Sequence, residues 1–270
     1  MTKLLHGIIS WSHTRKWNSQ SKAGALSTAI GASPLSMKPL FDGSITPECW
    51  RFIHKARTST LPVNNRFGSK FKACRKCCYS LETQAHIFCH CGPSSGFRIG
   101  RHNDVLELLA GTIRTNTTFE VIVDQVCDFV NKTDRVDLQL INRNTKKIVL
   151  LDLKVPYDTS SNLKLARDNN IAKYTPLKEE IKKNLPSWTV ILETISIGCF
   201  GSWSIENEAV LKMVGLKSII IRKFAIASIT KCIAWSTKNW RFHESQSNNN
   251  MEESKINNAN TDESDSPIEM

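Results

Sequence analysis

The segment RVDLQLINRNTKKIVLLDLKVPYD, Arg135 to Asp158, constrains the fold more than any other part of the chain. In it Val136, Leu138 and Leu140 alternate with Asp137, Gln139 and Ile141. After a polar turn at Asn142-Arg143-Asn144, Val149, Leu151, Leu153 and Val155 alternate with Leu150, Asp152 and Lys154. Period-two alternation is the signature of β-strands, here Arg135–Asn142 and 148–155, joined as a hairpin. Residues two apart share a face, so Asp152 and Lys154 point the same way. A hairpin brings Asp137 toward Asp152's end of the sheet. Two carboxylates that close repel unless a cation accepts both, and a divalent ion could do so together with a strand carbonyl such as that of Leu153. The bland alternative is a wet sheet face on which Asp152 and Lys154 are an exposed pair worth ~0–1 kcal/mol. Both readings stand at this point.

The surrounding pattern is that of an α/β domain. HNDVLELLAGTI places Val105, Leu108, Leu109 and Ile113 at helical spacing, and FEVIVDQVCDFV reads as a strand before the hairpin. From Ser160 to Leu185 the pattern is helical, with Tyr174, Leu177, Ile181 and Leu185 on one stripe. Pro176 interrupts it and predicts either a fresh helix or a kink. SWTVILETISIGCFG is a further strand, and Ile205 to Trp235 gives one or two helices. Upstream, residues 1–48 lack a steady period and read as an irregular lead-in. Residues 49–70 read as a basic helical linker carrying Arg51, Lys55, Arg57 and Arg66. Trp235 and Trp240 are expected to pack on the domain, since buried Trp is commoner than Trp stacked on bases.

CRKCCYSLETQAHIFCHC, within 71–95, sets Cys74 and Cys77 two residues apart, followed by His86 and Cys91. A C-x2-C pair directs two thiolates at one point, and His-x4-Cys supplies two more corners of a tetrahedron, a donor set that suits zinc. Cys78, Cys89 and His90 lie close enough to substitute. Arg75, Lys76 and Arg98 around the cluster could hold a phosphate backbone. Nine cysteines without a signal-peptide pattern predict reduced thiols and a soluble intracellular chain. The late apolar run is broken by Arg222, Lys223 and Lys231, so no membrane span is expected.

Charge points the same way. The chain carries +11, and residues 244–270 hold seven acids against one lysine. Setting aside that disordered, acidic tail leaves +17 on the rest, a surplus suited to a polyanion.

The succession CRKC, ETQAHIFCHC, RHNDV, RVDL, LLDLKVPYD and AKYTPL resembles the C-terminal region of site-specific, ribosomal-DNA-type non-LTR retrotransposon polyproteins, with FIHKARTSTLPVNNR similar to the linker before their knuckle. The likeness runs from about residue 50 to 242. It implies a Cys-Cys-His-Cys zinc knuckle followed by a PD-(D/E)xK restriction-endonuclease-like core, a mixed sheet flanked by helices, spanning 96–243. Carried over by position, Cys74, Cys77, His86 and Cys91 would bind zinc, while Asp137 and Asp152 would bind magnesium or manganese. Val136 stands where the family motif has proline. The catalytic lysine would be Lys154, or Lys173 beside Tyr174 on the following helix. Arg101 and His102 match an RHN-like stretch for which DNA contact or helix packing is expected, packing for His102. The resemblance further implies a nuclear protein that nicks double-stranded DNA to leave a 3′-hydroxyl primer, with element RNA as a second partner. The polymerase's paired-aspartate motif is absent from these residues, so reverse transcription is not expected of them. The rival expectation is a catalytically inactive, nucleic-acid-binding remnant of such an element.

Overall fold

Four strands form one mixed sheet in the order β1-β2-β3-β4, where β1 is Glu120–Val126, β2 Arg135–Asn142, β3 Lys147–Lys154 and β4 Thr189–Ser196. The computed structural model describes residues 10, 12–65, 70–127, 129, 130 and 135–245. The first three strands are an antiparallel meander; Leu138 faces Leu151 and Asn142 faces Lys147 across the hairpin. β4 then lies parallel to β3, with Asp152 beside Thr194, so a helical crossover separates them. The helices are α1 Ala23–Gly31, α2 Lys38–Phe41, α3 Pro47–Arg57, α4 Ser95–Asn116, α5 Ser160–Asn184, α6 Glu206–Met213 and α7 Ser218–Glu244.

Side chains explain the two layers that cover the sheet. Leu138, Leu140, Val149, Leu151, Leu153 and Ile195 share a cluster with Val105 and Leu109 of α4 and with Phe224, Ile229 and Ile233 of α7. On the opposite face Ile141, Ile148, Leu150, Val190 and Leu192 meet Tyr174, Leu177 and Ile181 of α5. Each fully buried Leu or Ile contributes about 1.5–3 kcal/mol. The whole of β3 between its end residues is therefore buried, and the wet-face alternative is overturned: Asp152 is 1% exposed. Alternation with polar residues misled because α5, the helix that follows β3, folds back over that face.

α5 starts where the Thr159 hydroxyl accepts a hydrogen bond from the Asn162 N–H. It continues through Pro176 as one helix, the second of the two alternatives the proline allowed, and no fresh helix starts there. β1 is the exposed edge, distorted at Asp124, whose φ is +49°.

The segment expected to be irregular is helical instead. Residues 12–18 are helical, α1 and α2 follow with a 3-10 turn at Pro34–Met37 between them, and Leu26 and Ile30 enter the main core. Small apolar residues packed on α3 and α7 hold this region without an amphipathic period. Nor is α3 a linker. Its Phe52, Ile53 and Ala56 are buried in the same core as Ile87 and Phe88 of the cysteine-rich segment. Trp240 packs into that core and Trp235 donates to Asp104, 3.0 Å away, the packing role expected. No helix among the described residues is long and apolar enough to cross a membrane. The acidic tail from residue 246 on, and Arg66, lie outside the described residues.

Candidate metal centre and acid cluster

Cys74, Cys77, His86 and Cys91 converge: their ligand atoms all lie within 4.8 Å of one another. The Cys74 and Cys91 sulfurs are 3.9 Å apart, and Cys77 Sγ is 3.1 Å from His86 Nε2. The edge of a zinc–thiolate tetrahedron is about 3.7 Å, so this Cys3His set could hold a metal such as zinc. A tight turn from Cys74 to Cys78, closed by the Cys78 N–H on the Cys74 carbonyl, sets the first two thiols. A single π-turn, His86–His90, sets the other two donors, and Tyr79 stacks on the His86 ring. Burial pushes the Cys74 thiol up to about 12 and raises Cys91 as well. It lowers His86, keeping that imidazole neutral as a ligand must be. The three substitutes do not join the group. Cys78 and His90 are exposed, and Cys89 is turned toward Cys199.

A second set shares Cys74: Cys74, Glu82 and His243. His243, from the end of α7, is fully buried with Nε2 3.4 Å from Cys74 Sγ, and burial pushes its pKa down to about 4. Its distance in sequence from the cluster hid it.

Of the basic residues assigned to phosphate, three are interior struts. Arg57 donates to the Phe200 and Ser36 carbonyls, and burial pulls its pKa down to about 10 against the opposing charge of Asp158. Arg75 clasps the fully buried Glu82 at 2.6 Å and also bonds Pro62 and Asn64. Arg101 is 3% exposed and reaches Ser236 and the Phe88 carbonyl. These guanidiniums replace lost hydration with buried carbonyl and carboxylate partners, which leaves none of them facing a phosphate. Lys76 lies over the Phe242 ring and Arg98 caps the Cys91 carbonyl, both half-buried. Arg51 and Lys55 remain exposed, one turn apart on α3.

The structure brings the hairpin acids together with two cations. Beyond the Leu138–Leu151 pair the ladder opens, and the Asp137 carboxylate takes over by accepting the Leu153 N–H at 2.7 Å. The same oxygen, Oδ2, is 3.1 Å from His102 Nε2, which is also 3.2 Å from the Leu153 carbonyl. Asp152 Oδ2 forms an ion pair with the Lys154 ammonium. Burial, reinforced by the Asp137 charge, raises Asp152 although Lys154 opposes it. Burial also works to raise Asp137, but His102 and the Leu153 N–H outweigh it and hold that carboxyl down. Asp137 in turn raises His102.

Lys173 and Tyr174 project from α5. The Lys173 ammonium donates to the Tyr174 hydroxyl at 2.8 Å, and that hydroxyl donates to the Arg135 carbonyl at 2.7 Å, two residues before Asp137. Tyr174 is buried and raised by that burial, with the Asp152 charge adding to it. Two polar neighbours complete the floor. Asn170 donates to Thr194 beside Asp152 and keeps an unpartnered, buried Oδ1, while Arg167 pairs with Glu193.

Comparison with known protein families finds no matching model, and a search of curated proteins finds no match.

Proposed function

We propose that this chain carries a metal-dependent DNA endonuclease of the PD-(D/E)xK type from a non-LTR retrotransposon. On this reading it is a nuclear enzyme that nicks double-stranded target DNA and leaves a 3′-hydroxyl to prime reverse transcription by a polymerase outside these residues. The observation that carries the reading is the fully buried Asp152 near the half-buried Asp137 at the open end of the β2–β3 hairpin, with Lys154 on Asp152. Burial and the Asp137 charge raise Asp152, and a divalent cation between the two acids would offset both. On this reading Asp137 and Asp152 would hold magnesium or manganese, and zinc fits the Cys74, Cys77, His86 and Cys91 donor set.

A cation at the acid pair would stabilise charge on a phosphodiester. The chain's own residues then divide the remaining work. Lys154 is 38% exposed while its partner acid is 1% exposed, so its ammonium joins the buried carboxylate to solvent, where a DNA backbone would lie. That makes Lys154 the better candidate for orienting the attacking water. Lys173 acts through Tyr174, which pins the start of β2 and with it Asp137. Arg51 and Lys55 supply an exposed positive strip for the backbone of DNA or element RNA.

The second reading, a binding module without cleavage, draws on one feature of the same cluster. Asp137 with His102 and Asp152 with Lys154 can neutralise each other with no added ion. Nicking of supercoiled plasmid by the purified chain in Mg²⁺ or Mn²⁺ tests the two. Cleavage abolished by Asp152→Ala and by Asp137→Ala supports the endonuclease. Salt-sensitive DNA binding with no cleavage supports the module.

A further inference from the structure

Two stripes run side by side on α3. Trp50 and His54 lie one turn apart on the first, and Arg51 and Lys55 lie one turn apart on the second. Tryptophan is usually well covered, as Trp203 and Trp240 are in the core, yet Trp50 is 45% exposed. His54 packs against the indole with ring centroids 4.0 Å apart and supports it from one side. Beside Trp50 lies a cavity of about 430 Å³, open to solvent and lined also by Leu40, Ile45, Pro47 and Arg51. Leu40 and Ile45 pack on the main core, which anchors its floor. Phe41, next to Leu40, is 77% exposed and adds a second ring surface. The cations stay available. Arg51 and Lys55 have no ion-pair partner among the described residues, and Glu48, on the same stripe, is neutralised by Arg241.

We infer that this face of α2 and α3 binds single-stranded nucleic acid, with a base stacked on Trp50 over the cavity and the neighbouring phosphates held by Arg51 and Lys55. A ring beside a cation suits that ligand, because each unpaired nucleotide presents a π-face and a phosphate together. Duplex DNA hides its base faces in the stack, so it can use the two cations and not the indole. An uncharged apolar partner would fill the cavity and leave both cations unpaired at its edge, whereas the surplus of +11 on the chain favours a polyanion. Such a site shares Arg51 and Lys55 with the proposed nucleic-acid strip and rests on that reading, but it is independent of the acid pair on the hairpin.

The test titrates the full, zinc-loaded chain into short fluorescein-labelled oligothymidine, oligouridine and duplex DNA, read by anisotropy at one fixed salt concentration. Trp50→Ala should weaken both single strands by about tenfold and leave duplex binding unchanged, while Trp50→Phe keeps most of the affinity. Whichever single strand the wild type prefers, deoxyribose or ribose, the loss should be common to both. Arg51→Ala should weaken all three ligands. Melting temperatures of the variants check that each is folded. Irradiation of an oligonucleotide carrying 5-bromouracil should crosslink it at Trp50. Equal losses for single strands and duplex in folded Trp50→Ala, or no loss with crosslinks only elsewhere, overturn the stacking site. A wild type that binds single strands through Trp50 and does not nick plasmid keeps this site and removes the nuclease. One that binds no nucleic acid removes both.

Discussion

Asp158 shows how tightly single side chains fix the loop that follows β4. It is fully buried, and its carboxylate accepts the Phe200 N–H at 2.6 Å, the Ser202 N–H at 2.8 Å and the Ser202 hydroxyl at 2.6 Å. Gly198 passes so close that a Cβ there would sit 2.2 Å from the carboxylate, and nothing but glycine fits. Asp158→Ala leaves two buried N–H groups and Arg57 without their counterpart. It should cost about 3–5 kcal/mol in urea unfolding, at the upper end for single substitutions. Arg57→Met should likewise destabilise by about 2–3 kcal/mol, because the Phe200 and Ser36 carbonyls lose their donors. At this scale the sequence was readable for metal-type donors and misleading for arginine. Spacing alone brings Cys74, Cys77, His86 and Cys91 together. A guanidinium that leads a positive strip in the sequence can instead be the strut of a core, as Arg57, Arg75 and Arg101 are. What decides between the two is a partner that no local pattern records: the Phe200 carbonyl 143 residues from Arg57, the Ser236 hydroxyl 135 residues from Arg101, and Glu82 seven residues from Arg75.

Among the elements, α5 is the one that departs from its own chemistry. Pro176 sits in the interior of a continuous helix, where it offers no N–H to the Ala172 carbonyl. It is exposed, so Pro176→Ala should raise stability by about 1–3 kcal/mol, read as a higher melting temperature with unchanged helix boundaries. The cysteine-rich element should respond to metal removal. A chelator strong enough to strip zinc should lower the melting temperature, since binding to the folded state alone adds RT ln(1 + [L]/Kd) to stability. Cobalt substituted for zinc should give the absorption of a tetrahedral thiolate site, weakened in Cys91→Ser. The β2–β3 hairpin and the order helix, three strands, helix, strand, helices were legible from alternation and helical spacing, with β2 at the expected residues and β3 displaced by one. The parallel β3–β4 pairing and the burial of both faces of β3 were not. They depend on where α5 returns, which period-two patterning leaves open. The helices before α3 escaped detection because AGALSTAIG is apolar without being amphipathic.

The molecule as a whole carries its positive surplus on a body whose core arginines cannot meet a polyanion. DNA affinity should therefore depend on a smaller set of exposed cations than the formal charge suggests. Arg51→Ala combined with Lys55→Ala should reduce the slope of log affinity against log salt by up to about 1.8, two phosphate contacts' worth. A buried-arginine variant that still folds, tested in the same titration, should leave the slope unchanged. The continuity of the core has a further consequence during synthesis. Leu26 near one end and Trp240 near the other belong to one cluster, and His243 closes over Cys74. On a ribosome, the early helices and the cysteine-rich turn emerge many seconds before α7 exists to cover them. The β2–β3 hairpin can form locally in that interval, but Ile53, Ile87 and Leu109 wait with their apolar faces unsheltered. The growing chain thus keeps apolar surface open until α7 leaves the tunnel, and expression of pieces ending before α7 should yield aggregates instead of separable modules.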